Sequence, residues 1–301
     1  MTQIIDGLGV LADHYDVLLC DIWGVIHNGQ NAFPVASAAL ARWRAERGPV
    51  VLISNSPRPW PGVAAQLDEL GVPREAWSVI VTSGDATRVL LADRAPGPAW
   101  RIGPERDDPL FEGLGLAFAD MDEARFIACT GPNDDEVETP EDYRAVLTRA
   151  AALGLEMVCA NPDRVVQRGA RLIYCGGALA ELYETLGGAT VMAGKPFGPI
   201  YDLSLIEADR ALGRPHDRAR ILVIGDGVIT DIAGAQSQGF DRLFIATGIH
   251  GQEATGPGGE LSAPAVDALL AKSGLSANFA MGDLEWRAPV RRDSRQKRGT
   301  R

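Results

Sequence analysis

Cysteine is scarce, lysine is scarcer, and no long apolar run occurs. The four cysteines, Cys20, Cys129, Cys159 and Cys175, stand 109, 30 and 16 positions apart. That spacing fits neither a zinc site nor a redox pair, and scattered thiols among apolar neighbours read as core filler in a reducing compartment. No stretch approaches the roughly 18 uninterrupted apolar residues of a membrane helix, so no membrane partner is expected. The first sixteen residues carry no basic cluster ahead of their apolar positions. A secretory leader is therefore not expected, and a cytoplasmic location is. Positive charge is short too: the net charge of −11 argues against nucleic acid as the partner of the folded body.

What is present suits a globular protein. Hydrophobic residues at 46% and charged residues at 23% leave enough apolar material for a core, and 301 residues suit two domains. Charge is unevenly placed. Residues 287–301 hold six arginines and one lysine against Asp293, a net of +6, which leaves −17 on the rest. With almost no apolar content, that segment is expected to be a disordered basic tail.

Short apolar runs alternate with helix-like stretches, the pattern of a parallel sheet covered by helices. Residues 17–20, 50–53 and 221–224 read as strands buried on both faces. Between the first two, Pro34 opens a helix whose stripe is Ala36, Leu40 and Trp43, and Gly48 closes it. In the middle of the chain, Thr139, Pro140 and Asp142 form a helix start of capping-box type. Tyr143, Val146, Leu147, Ala150 and Ala151 then follow helical spacing up to Gly154. A strand at 156–160 and a turn at 161–163 come next. The expected fold is α/β: a doubly wound, Rossmann-like parallel-sheet core of residues 1–85 and 191–286, interrupted by an α/β cap of 86–190.

Three of the strands end in polar residues: Asp21, Ser54 and, after Gly225, Asp226. Ligands of open α/β sheets bind beyond such carboxyl ends, so these side chains are candidates to converge. Asp226 and Asp231 lie five apart around a glycine turn, and with Asp21 they offer an all-oxygen site suited to Mg²⁺. Asp231 has an alternative reading as the stabiliser of a helix N-terminus. Lys195, one of only three lysines, sits between Gly194 and Pro196 as a compact charge for a phosphoryl oxygen or a carboxylate.

Taken together, these residues resemble the haloacid dehalogenase superfamily of aspartate-nucleophile hydrolases, and within it class IIA, the nitrophenyl-phosphatase-like proteins with a large α/β cap. Leu19-Cys20-Asp21-Ile22-Trp23-Gly24-Val25 resembles the first motif and Leu52-Ile53-Ser54-Asn55-Ser56 the second. Gly194-Lys195-Pro196 resembles the third, and Gly225-Asp226 through Thr230-Asp231-Ile232 the fourth. Thr82-Ser83 and Asn161-Pro162-Asp163 are similar to this class as well, and the match spans residues 16 to about 250. The resemblance implies that Asp21 attacks phosphorus to form an aspartyl phosphate. It implies that Ser54, Asn55 and Lys195 bind the phosphoryl group, with Lys195 also neutralising the nucleophile. Mg²⁺ would be held by Asp21, Asp226, the backbone carbonyl of Trp23, and Asp231. Such a site works by positioning and charge stabilisation.

One position departs from the pattern. Phosphatases of the superfamily carry a second Asp two residues after the nucleophile, as general acid and base, and here that residue is Trp23. An indole N–H is only a weak donor, and loss of a general acid typically costs about 10²–10⁴-fold in rate. Several readings stay open. A substrate with a good leaving group needs little protonation, and His27 is the nearest substitute acid. The alternative to a phosphohydrolase acting on a small phosphorylated metabolite is a phosphate- and Mg²⁺-binding protein with little turnover. An assembly module whose cap pairs two copies into a homodimer is a third reading. A dehalogenase, which does not need Asp226 and Asp231, fits less well. Arg58, Arg164 and Arg168 are candidate anion contacts.

Overall fold

The computed structural model describes residues 1–168, 171–247, 251–256 and 258–287. Most of the basic segment, 288–301, lies outside them, and with it the expectation of disorder there. Four strands precede the inserted unit: β1 (Gln3–Ile4), β2 (Val17–Asp21), β3 (Val50–Ser54) and β4 (Val79–Thr82). Six belong to that unit: β5 (Ala99–Ile102), β6 (Phe126–Cys129), β7 (Glu156–Cys159), β8 (Val165–Arg168), β9 (Arg171–Tyr174) and β10 (Ala189–Met192). Three complete the larger sheet: β11 (Ile221–Gly225), β12 (Asp241–Ile245) and β13 (Phe279–Met281).

The larger sheet has seven parallel strands in the order β1-β13-β12-β11-β2-β3-β4. From β2 the chain steps outward to β3 and β4, and from β11 it steps the other way to β12 and β13. The boundary between β2 and β11 is thus the switch point at which open α/β sheets form a crevice. Every residue of β2, β3 and β11 is buried, which explains their continuous apolar runs. Alternate side chains feed opposite cores. Leu18, Cys20, Leu52, Leu222 and Ile224 pack with Leu40 and Trp43 of the helix Pro34–Glu46. Val17, Leu19, Val51, Ile53 and Val223 pack with Ile200 and Tyr201 of the helix Gly198–Leu212. Trp43 is fully buried, so its truncation to Ala costs about 3–5 kcal/mol.

The inserted unit builds its own parallel sheet, β10-β7-β6-β5, with the β8–β9 hairpin beside it. Its capping box forms as the Thr139–Asp142 spacing suggests, but over a 3₁₀ turn, Pro140–Tyr143, that runs into the helix Arg144–Ala152. Tyr143, Leu147 and Ala150 are its buried positions, and Gly154 follows with φ +72°, a conformation that suits glycine. A second helix, Gly176–Thr185, starts on two glycines. A Cβ on Gly177 would stand 2.1 Å from the Pro162 carbonyl oxygen, so packing overrides the poor helix propensity of glycine here. Among the described residues, no helix is long and apolar enough to cross a membrane.

Candidate active site

Asp21 is the last residue of β2 and Ser54 the last of β3, while Asp226 follows the end of β11. Parallel register therefore sets these side chains along one edge of the sheet, at the switch point. After Asp21 the chain turns at Gly24, whose φ of +81° and lack of a side chain are both required, because a Cβ would lie 2.1 Å from Asp226 Oδ2. The Gly24 amide donates to the His27 carbonyl at 2.8 Å and closes the turn. Beyond β11, a single π-helical turn, Val228–Ile232, carries Asp231 inward. Asp231 Oδ2 accepts from the Gly227 amide at 3.0 Å, locking the turn that presents Asp226. Gly225 must be glycine for the same reason: its Cβ would meet Asp231 Cγ at 2.2 Å.

Lys195 reaches this cluster from a segment 174 residues beyond Asp21 in sequence. Its Nζ donates to Asp21 Oδ1 at 2.6 Å and to Asp231 Oδ1 at 2.7 Å, and Asp21 Oδ1 also accepts from the Ile22 amide at 2.7 Å. The side chain of Asn55 holds the lysine backbone: Oδ1 accepts from the Lys195 amide at 2.7 Å and Nδ2 donates to its carbonyl at 3.0 Å. Asn55 Nδ2 donates as well to Asp163 Oδ1 at 2.8 Å. Gly194 leaves the room for this bracket, since a Cβ there would fall 2.7 Å from Asn55 Oδ1. Ser54 Oγ accepts from the Ser56 amide at 3.2 Å and faces the same cavity.

Asp21, Asp226, Asp231 and Lys195 are all buried. Burial raises the Asp21 carboxyl well above the usual carboxylate range, and the Asp231 and Asp226 charges add to this against the opposing pull of Lys195. Burial also disfavours the Lys195 ammonium, but the charges and hydrogen bonds of Asp21 and Asp231 outweigh it and hold the proton on. One ammonium thus balances one of three buried carboxylates. Ligand oxygens of Asp21, Asp226 and Asp231 lie within 4.8 Å of one another, so a hard divalent cation fits the donor set by charge and by oxygen chemistry.

Above this floor opens a cavity of about 680 Å³, a volume suited to a small-molecule ligand. The Trp23 side chain lines it, lying over Gly29 and meeting the His27 ring edge to face at 4.8 Å. His27 itself is buried and does not line the cavity; its Nδ1 accepts from the Gly29 amide at 2.8 Å. Burial, aided by the charge of Arg58, pushes its pKa down to about 4, so the ring is neutral at physiological pH. Arg58 and Arg168 line the cavity, whereas Arg164 points outward and pairs with Glu181 at 2.7 Å, both exposed. Arg106, Asp107, Asp135 and Asp163 also form the wall. Only Asp163 among these lies in a motif noted in the sequence, and its bond to Asn55 joins segments 108 residues apart.

The chain matches a haloacid dehalogenase-like hydrolase family model over residues 18–117 and a HAD-hydrolase-like model over residues 192–270. A haloacid dehalogenase-like family hydrolase from Brucella suis 1330 is 44% identical, with a TM-score of 0.84 over 93% of this chain and 100% of that one. The D-glycerol 3-phosphate phosphatase of Mycobacterium tuberculosis is 28% identical over 80% of this chain, which spans 65% of that relative's length. The structure of a glycerol phosphate phosphatase from the same species, in complex with magnesium, matches with a TM-score of 0.60 and 26% identity, covering 79% of this chain and 70% of that one.

Proposed function

The chain belongs to the haloacid dehalogenase-like hydrolase family, and from that membership we propose that it is a Mg²⁺-dependent phosphohydrolase working through an aspartyl phosphate on Asp21. The observation that carries this reading is the buried convergence of Asp21, Asp226 and Asp231 around the ammonium of Lys195. Phosphatase relatives, one of them bound to magnesium, favour turnover over a purely binding role.

The residues divide the work as follows. Asp21 supplies the carboxylate that attacks phosphorus, forming the new O–P bond as the bond to the leaving oxygen breaks. Lys195 holds Asp21 in place through Oδ1 and offsets charge on the transferring group, and Asn55 fixes Lys195. Ser54 Oγ donates to a phosphoryl oxygen. Asp21, Asp226, Asp231 and the Trp23 carbonyl would hold Mg²⁺, which supplies Lewis-acid stabilisation of phosphoryl charge. Water then cleaves the aspartyl phosphate and restores Asp21. Trp23 cannot protonate the departing oxygen, so the substrate is a small phosphorylated metabolite whose leaving group carries its own negative charge readily, such as an acyl or aryl phosphate.

A screen of phosphorylated metabolites with Mg²⁺, followed by mass spectrometry of the trapped enzyme, tests the reading. Hydrolysis with an added phosphate on Asp21, both lost in Asp21→Asn, is the expected result. A folded wild type that binds phosphonates but hydrolyses nothing would overturn it in favour of a binding protein.

A further inference from the structure

The wall of the cavity is electrostatically unlike its floor. Four residues beyond Ser54, Arg58 is half-buried in that wall. Its Nη2 donates to the neutral Gln66 Oε1 at 2.6 Å, and among the described residues it forms no ion pair. Nε and Nη1 have no hydrogen-bond partner among those residues either. A guanidinium cannot escape by losing its proton, so a partly desolvated one with a neutral partner keeps an unmet demand for an anion.

Its neighbours do not meet that demand. Burial works against the Arg58 charge, Asp107 and Glu69 support it without forming an ion pair, and Arg106 and Arg168 oppose it. Arg106 and Arg168 both pair with Asp135, and Arg168 also pairs with Glu136, which in turn takes Arg171. Three guanidiniums thus share two carboxylates, so Asp135 and Glu136 are both engaged by arginines other than Arg58.

We propose that Arg58 binds a second anionic group of the substrate, a carboxylate or a phosphate, through the guanidinium N–H groups that Gln66 leaves free, so that the enzyme selects phosphorylated acids or bisphosphates over phosphate esters of neutral compounds. This rests on the phosphohydrolase reading for the first anion, but the second site is testable without turnover. A fork donating two charge-assisted bonds in a partly desolvated wall gives specificity that one donor cannot.

The test compares phenyl phosphate with 4-(carboxymethyl)phenyl phosphate, whose methylene insulates the leaving oxygen from the added carboxylate. With Mg²⁺, wild type should prefer the acid by about 10- to 100-fold in kcat/KM, the range for a hydrogen bond to a charged group. Arg58→Gln should erase that ratio, and Arg58→Lys should retain only part of it. Should the Gln variant fail to fold, the Lys variant carries the test through the same ratio. In parallel, calorimetry compares phosphonocarboxylates and bisphosphonates of two to five methylenes with alkylphosphonates of equal length. Tighter binding of the first series marks a carboxylate site, and of the second a phosphate site, each lost in the variants. Esters hydrolysed with equal efficiency, or a preference that survives Arg58→Gln, would overturn the proposal and leave the hydrolase reading standing. No hydrolysis, with an Arg58-dependent preference for dianionic phosphonates, would overturn the hydrolase reading and keep the second site.

Discussion

Asn55 grips both backbone groups of Lys195, accepting from its amide at 2.7 Å and donating to its carbonyl at 3.0 Å. The ammonium that orients Asp21 is therefore positioned by an amide 140 residues away in sequence. Asn55→Ala leaves both lysine backbone groups buried and unpaired. Each costs about 1–3 kcal/mol, so urea denaturation should show a clear loss of stability and kcat should fall with it. A stable variant with wild-type kcat would show that Lys195 is held by other means.

Metal binding is the second expectation. Three buried carboxylates repel one another, and a cation that binds only the folded state raises the thermal midpoint. Mg²⁺ should stabilise wild type in a concentration-dependent manner. Asp226→Asn should abolish that response, and an unchanged Mg²⁺ shift in the variant would remove Asp226 from the ligand set.

Trp23 makes a kinetic prediction. Without a general acid, rates across a series of esters should fall steeply as the leaving-group pKa rises. The spread should exceed the ~1–3 kcal/mol that differences in binding usually explain. Trp23→Asp should flatten the slope and raise alkyl-ester turnover, at some cost in stability because the indole is partly buried against the core. Equal rates for alkyl and aryl esters in wild type would place the proton donor elsewhere.

His27 makes a prediction about pH. Its folded pKa is about 4, against an ordinary value of 6.5, so the unfolded chain takes up the proton more readily. Its contribution is full above pH 6.5 and is lost as pH falls from 6.5 towards 4, about 3 kcal/mol in all. Burial raises other carboxyls as well, among them Asp107 and Asp163, so the informative quantity is the difference between wild type and His27→Asn, whose Oδ1 can replace Nδ1 as the acceptor for Gly29. That difference should shrink by this amount across the window. A constant difference would mean that the buried ring is already charged.

Much of the architecture was legible because burial on both faces leaves a plain trace. The runs before Asp21, Ser54 and Gly225 are apolar at every position, and the first polar residue marks the end of the strand facing the crevice. Thr139 and Asp142 announced a helix start through local chemistry alone. The hairpin β8–β9 was not legible, since two four-residue strands rich in arginine give too short an alternation. Nor was the helix Gly176–Thr185, whose opening glycines are dictated by close neighbours, Cys159 and Asn161 at Gly176 and the Pro162 backbone at Gly177, rather than by helix propensity. Asn55 as a bracket for Lys195, and Arg58 as a half-buried wall residue bonded to Gln66, depend on contacts made only after folding.

The Nδ2 group of Asn55 has two hydrogens and two acceptors, the Lys195 carbonyl and Asp163 in the connection between β7 and β8. One amide thus fastens the β7–β8 connection of the inserted unit to the residue whose ammonium meets Asp21, so the wall and the floor of the cavity are tied together through a single side chain.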